Sequence, residues 1–197
     1  MAETVRIEVP KININHMELV LIGDSPLISH RWSEKARKQM LDKQMKKAKT
    51  AKEAKDPERD FRESLYDHPD GGYGFPCVAF KNAAVGACRF SDGIKMTEAR
   101  GAFHVVGELA KIEGHEPTMR EDMVRVGMGT ADIRYRGQFE KWSVRLFIDY
   151  NRDALSPEQI VNLFNLAGFG VGVGEWRPEK DGSYGRFHVA SEKEAIA

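Results

Sequence analysis

The chain has 197 residues, 41% of them hydrophobic and 30% charged, and its 30 basic residues are matched by 30 acidic ones for a formal net charge of zero. That balance excludes a global polycation, so any nucleic-acid site must come from a local gathering of charge. Two cysteines, Cys77 and Cys88, are too few for a disulfide scaffold or a four-cysteine zinc site.

The N-terminal MAETVRIEVPKININ has no apolar core of signal-peptide length. No run reaches the roughly 18–20 apolar residues of a membrane span. One domain over 1–197 and a cytoplasmic location are expected.

In chain order, MELVLI (17–22) reads as a buried strand. Gly23, Asp24, Ser25 and Pro26 punctuate it as a turn. From Ser33 to about Ala54 the residues are good helix formers, with Ser33 as N-cap. Arg31 to Lys55 holds ten basic residues against three acidic ones. Its apolar content is thin, so this helix should project from the domain, with Pro57 closing it. YDHPDGGYGFP (66–76) is turn chemistry. CVAFKNAAVGACRF (77–90) reads as a helix whose small residues suit close packing, with Lys81 and Arg89 on its other side.

Residues 102–109 read as a strand, and 110–141 as a long irregular stretch in which Met123–Val126 and Ala131–Tyr135 pair as a hairpin. WSVRLFIDY (142–150) fits a central strand. Ser156-Pro157-Glu158-Gln159 is a helix start with a capping box, and Gly168 is a natural stop. A glycine-rich loop, GFGVGVGEW, follows. The last strand spans about 184–190, and the polar tail should fray. The order is strand, helix, strand, strand, helix, strand. That is an α+β, ferredoxin-like or RRM-like βαββαβ fold. A basic helical insertion (about 23–76) follows strand 1, and a hairpin insertion (about 110–141) lies between strands 2 and 3.

Three segments, in this order on a βαββαβ frame, resemble the RAMP superfamily of CRISPR-associated proteins, particularly the backbone subunits that coat guide RNA. They are LVLIGDSPLI (19–28), YDHPDGGYGFPCVAFKNAAVGACR (66–89) and GFGVGVGEW…DGSYGRFHV (168–189). Cys-Val-Ala after the proline departs from the glycine and serines common there. The chain is also short for such a subunit, which suits a stand-alone relative such as a phage might carry. The resemblance implies an oligomeric ribonucleoprotein with RNA or single-stranded DNA and other effector subunits as partners. It also implies a thumb role for the hairpin, and it favours Lys81 and Arg89 as contacts.

Candidate nucleic-acid contacts fall in three places besides Lys81 and Arg89. Arg31, Lys35, Arg37, Lys38, Lys46 and Lys47 would neutralise phosphate irrespective of base sequence; the alternative is a solvated helix face. Arg134, Tyr135 and Arg136 interleave cations with an aromatic, which suits phosphate pairing plus stacking. Gly168, Gly170, Gly172 and Gly174 let backbone approach a ligand, beside Trp176, Arg177 and Arg186. The loop follows a helix, not a strand, so it is no dinucleotide fingerprint.

No cofactor or metal is expected: the six histidines show no paired ligand spacing. Catalysis enters only through the resemblance, since some RAMP relatives cleave RNA with a histidine or with an aspartate after the first strand. His30 and Asp24 occupy such places here. A third alternative is a protein-interaction module that mimics or disrupts an effector subunit.

Overall fold

The computed structural model describes residues 11–47, 54–126 and 129–195. Strand β1 (Ile14–Gly23) is the centre of the main sheet. It pairs antiparallel along its length with β9 (Trp142–Asn151), and at its end with β10 (Phe187–Val189). The other edge of β9 is shared by β5 (Phe103–Val105) and β6 (Leu109–Gly114), which pair with its two ends. The strand expected at 102–109 is therefore broken. Gly107, at φ 93°, turns the chain between the pieces, and Val106 N–H donates to Phe147 O at 2.8 Å.

Across the sheet the order is fourth, first, third, second of the four frame strands, which is the ferredoxin-like order. The two frame helices are α3 (Cys77–Ala87) and α5 (Pro157–Gly170). On β9 the residues alternate: Trp142, Val144, Leu146, Ile148 and Tyr150 are buried, whereas Arg145 and Phe147 are exposed. The helices lie on the buried face, where Phe80, Phe103, Phe164 and Phe187 are fully buried. Both cysteines are free and buried there, and burial raises their thiol pKa values.

The α5 start forms as the sequence predicts. Ser156 Oγ accepts from Gln159 N–H at 3.3 Å, and Gln159 Oε1 accepts from Ser156 N–H at 2.8 Å. Its end differs. Gly168 is helical and buried, not a stop, because α5 there lies directly on the Phe187 carbonyl.

The two insertions meet. β2 (Leu27–Ser29) leaves the main sheet and pairs with β8 (Thr130–Phe139), which pairs with β7 (Thr118–Val126). The hairpin is longer than expected because its pairing runs on to Gln138 opposite Thr118. Strands β3 (Tyr66–Asp67) and β4 (Tyr73–Pro76) extend the main sheet beyond β6.

The basic stretch forms α1 (Glu34–Gln44) and turns at Lys46, φ 54°; residues 48–53 lie outside the described ones. Pro57 does not close it. It opens a second helix, α2 (Pro57–Glu63), with Asp56 Oδ1 capping Arg59 N–H at 3.1 Å. Proline suits a first helical turn because its missing N–H would be unpaired there anyway. Helix α4 (Met96–Ala102) has no counterpart among the elements expected from the sequence. The tail carries a short α6 (Glu192–Ala195), started by Ser191 and Glu194.

Candidate functional site

The small residues of α3 determine what its other side can do. Ala83, Ala84, Gly86 and Ala87 are buried and bring α3 close to its neighbours. Val78, Lys81, Asn82, Val85 and Arg89 then recur at helical spacing along a strip beside two adjoining grooves. One, of about 490 Å³, runs between this strip and α4, where Met96 and Arg100 line it. The other, of about 420 Å³, runs between the start of α3 and the turn after α5, lined by His30, Tyr66, Phe75, Gly172, Gly174, Glu175 and Arg177. Val78, Asn82 and Glu179 belong to both.

Four cations face these grooves: Lys81, Arg89, Arg100 and Arg177. Lys81 Nζ lies 3.1 Å from His104 Nδ1 and 5.9 Å from the Phe103 ring centre, and burial lowers its pKa. The carboxylates present are engaged. Glu179 takes Arg89 Nη2 at 2.7 Å and Arg177 Nη2 at 3.0 Å. Glu175 Oε1 lies 3.3 Å from His30 Nδ1, and Arg136 Nη2 reaches Glu175 Oε2 at 3.6 Å.

The positive-φ glycines Gly172 and Gly174 turn the chain into this wall. Gly174 also packs on the Ile28 carbonyl, which ties the turn to β2. Gly170 ends α5 against the Phe90 ring, so two of the four glycines of the expected loop, Gly168 and Gly170, are helical.

Of the sequence candidates, Lys81, Arg89, Arg177, Gly172, Gly174 and His30 come together here. The other candidates whose side chains are described line neither groove. Arg136 is an interior residue, 5% exposed. Asp122 Oδ2 accepts from its Nη1 at 3.1 Å, so it braces Glu175 instead of facing solvent. Arg134 Nε donates to Asp132 Oδ2 at 2.9 Å, and Lys55 shares that carboxylate at 2.6 Å. Tyr135 is half-buried opposite Glu121. Trp176 is 41% exposed at φ 53°. Arg186 is half-buried, its N–H on Ser25 Oγ at 3.0 Å.

On the basic segment, Arg31 N–H donates to Ser64 O at 2.9 Å. Arg37, Lys38 and Lys46 are exposed, and Lys47 pairs with Asp42 at 3.1 Å. Lys35 is on α1, its side chain outside the described ones. Asp24 Oδ1 lies 2.7 Å from His188 Nδ1, which holds the turn to β10. Among the described residues no cluster of metal-ligating side chains occurs, and no helix is long and apolar enough to cross a membrane. Sequence reasoning misses Arg100, Asn82, Tyr66, Glu175 and Glu179. Arg100 is hidden because α4 has no clear sequence pattern, and the glutamates because their partners are distant in the chain.

The charge network gives a pH dependence of known sign. Hydrogen bonding to His30 holds the Glu175 carboxyl below its usual range against burial. Arg89 does the same for Glu179, and Lys55 for Asp132. A carboxylate depressed on folding stabilises the fold fully above its unfolded value, near 4. That stabilisation is lost as pH falls through the folded value. The urea midpoint is therefore expected to drop on acidification below about pH 4, and Glu175→Gln should make that drop shallower. A midpoint independent of pH in this range contradicts the network.

No protein-family model and no curated protein matches the chain. Solved structures do. Cmr6 from Pyrococcus furiosus matches over 91% of this chain and 100% of its own, with a TM-score of 0.50 and 11% identity. A chain of the Type III-B Cmr-beta complex bound to cognate target RNA matches over 91% of this chain and 60% of its own, with a TM-score of 0.56 and 12% identity. At such low identity this likeness is one of fold. The chain has a ferredoxin-like fold, similar over 91% of its length to that of these two Cmr structures.

Proposed function

We propose that this chain is a non-catalytic subunit of a CRISPR-effector-like ribonucleoprotein, and that it binds a single strand of RNA, or of DNA, along the double groove over α3. It acts as one domain with insertions at about 23–76 and 110–141, in the cytoplasm, beside further copies or other effector subunits. One observation carries the reading. Lys81, Arg89 and Arg100 in one groove and Arg177 in the adjoining one line the two sides of Glu179, which both grooves share, on a charge-neutral molecule. Such a strip neutralises a phosphate backbone without reading bases. The likeness to a complex bound to target RNA supports RNA as the strand. Exposed cations of α1 and the thumb-like hairpin around Arg134 and Tyr135 extend the contact.

Mobility shifts with single- and double-stranded RNA and DNA test this. Single strands should bind at low salt, and affinity should fall steeply with salt. Lys81→Ala and Arg100→Ala should each flatten the log–log salt slope by about 1. Absence of binding to every strand removes the reading, and a protein partner that survives nuclease treatment puts an interaction module in its place.

A second reading rests on His30, whose imidazole lines the groove against the Glu175 carboxylate. That pairing orients a general base, so RNA cleavage lost in His30→Ala but kept in Asp24→Ala would make the chain an endoribonuclease.

A further inference from the structure

Arg89 and Arg177 come from different elements, yet they converge on one carboxylate. Arg89 Nη2 donates to Glu179 Oε1 at 2.7 Å, and Arg177 donates to Glu179 Oε2 from Nε at 3.2 Å and from Nη2 at 3.0 Å. Three N–H donors thus surround the two oxygens of one anion. Each guanidinium is also held independently of Glu179. Arg89 Nε donates to Gly86 O at 2.9 Å, and the group lies over the Phe90 ring at 5.3 Å. Arg177 Nη1 donates to Gly174 O at 3.0 Å. If the carboxylate swung out, both forks would keep their places and their free N–H groups.

Glu179 can leave without unfolding its turn. The Glu179 N–H donates to Val171 O at 3.1 Å and fixes the backbone, while the side chain remains 31% exposed. Its position, common to both grooves, lies where a strand running along α3 would pass. A phosphodiester, like a carboxylate, offers two anionic oxygens to a guanidinium fork.

We propose that Arg89 and Arg177 form a phosphate clamp, and that Glu179 is its resident counter-ion, displaced when a backbone phosphate of the strand enters. This deepens the single-strand-binding reading and depends on it for the identity of the ligand. The exchange makes binding weaker than the cations alone would give. It also disfavours stray anions, which must compete with a tethered carboxylate.

The test uses the full chain with Glu179→Gln, a fluorescein-labelled single-stranded RNA, and inorganic pyrophosphate as a minimal probe. Glu179→Gln should bind the RNA roughly tenfold more tightly at low salt, because a charged competitor is gone. Its salt slope should steepen by about 1. Pyrophosphate should raise its thermal midpoint, and that of the parent much less. Combining Glu179→Gln with Arg89→Gln should abolish both gains. Should Glu179→Gln fail to fold, Glu179→Asp, whose shorter side chain must release one fork, should give a smaller gain of the same sign. Unchanged or weaker RNA binding by these variants, with the parent binding normally, overturns the clamp. Pyrophosphate stabilisation of Glu179→Gln without RNA binding by any variant upholds the clamp and removes the strand-binding reading instead.

Discussion

Asp122→Ala is expected to lower the unfolding free energy by about 3–5 kcal/mol, the cost of removing one partner from a buried ion pair. Asp122 is 7% exposed, and its two oxygens take Arg120 Nε at 2.8 Å and Arg136 Nη1 at 3.1 Å. Arg120 keeps Gln138 Oε1 at 2.8 Å and Tyr184 Oη at 3.1 Å. Arg136 has far less to fall back on. Its side chain is 6% exposed, and among the described residues Nε has no partner and only Glu175, at 3.6 Å, remains. A buried guanidinium held by one long contact is costly. Because Glu175 also positions His30 and the groove wall, RNA affinity should weaken with stability. Replacing both partners, Asp122→Leu with Arg136→Met, should recover most of the loss, since an apolar pair of similar volume needs no desolvation of charge. Urea denaturation of the two single variants and the double variant measures this. A loss below about 1 kcal/mol for Asp122→Ala would mean that water reaches Arg136.

That network explains why the frame was legible in the sequence and the site only partly so. The Ser156 cap and the Ile160, Leu163, Phe164, Ala167 face are local patterns, and α5 follows from them. The apolar alternation of 142–150 fits β9 for the same reason, although its outer face is half open where a continuous apolar run suggests burial on both sides. The hairpin's charges read differently without the register. Arg120 stands opposite Arg136, a like-charged pair that is unfavourable by itself. It is tolerated because Asp122 bridges the two, and Glu175 arrives from beyond α5. Spacing along one strand carries none of this. In the sequence Arg136 therefore resembles a ligand-binding cation, whereas in the fold it is a buried brace. Pro57 reads as a terminator for a related reason: proline stops one helix and starts another with equal ease. Only the Asp56 cap, together with the Glu58 and Asp60 carboxylates of the first turn, tells the two apart.

Gly168→Ala is expected to destabilise the chain by about 1–3 kcal/mol or more, although alanine is the better helix former by about 1 kcal/mol. Two effects oppose each other here, and geometry decides between them. Gly168 lies inside α5, where glycine costs backbone entropy. A Cβ added there would overlap the Phe187 carbonyl oxygen and crowd its ring. A backbone carbonyl cannot rotate aside, and Phe187 also pairs with Gly23 of β1. Helix α5 would therefore have to lift off β10, opening the core around Phe187, Phe80 and Trp142, whose rings stack edge to face. Gly101, inside α4, is the contrasting case. Nothing lies within 4 Å of a Cβ built there, so Gly101→Ala should stabilise by up to about 1 kcal/mol through helix propensity alone. Thermal unfolding of the two variants should thus shift in opposite directions. A rise in midpoint for Gly168→Ala would show that α5 does not rest on the last strand as closely as described. The turn carrying Gly172, Gly174 and Arg177 would then no longer be anchored at its base, and the groove wall would lose its support.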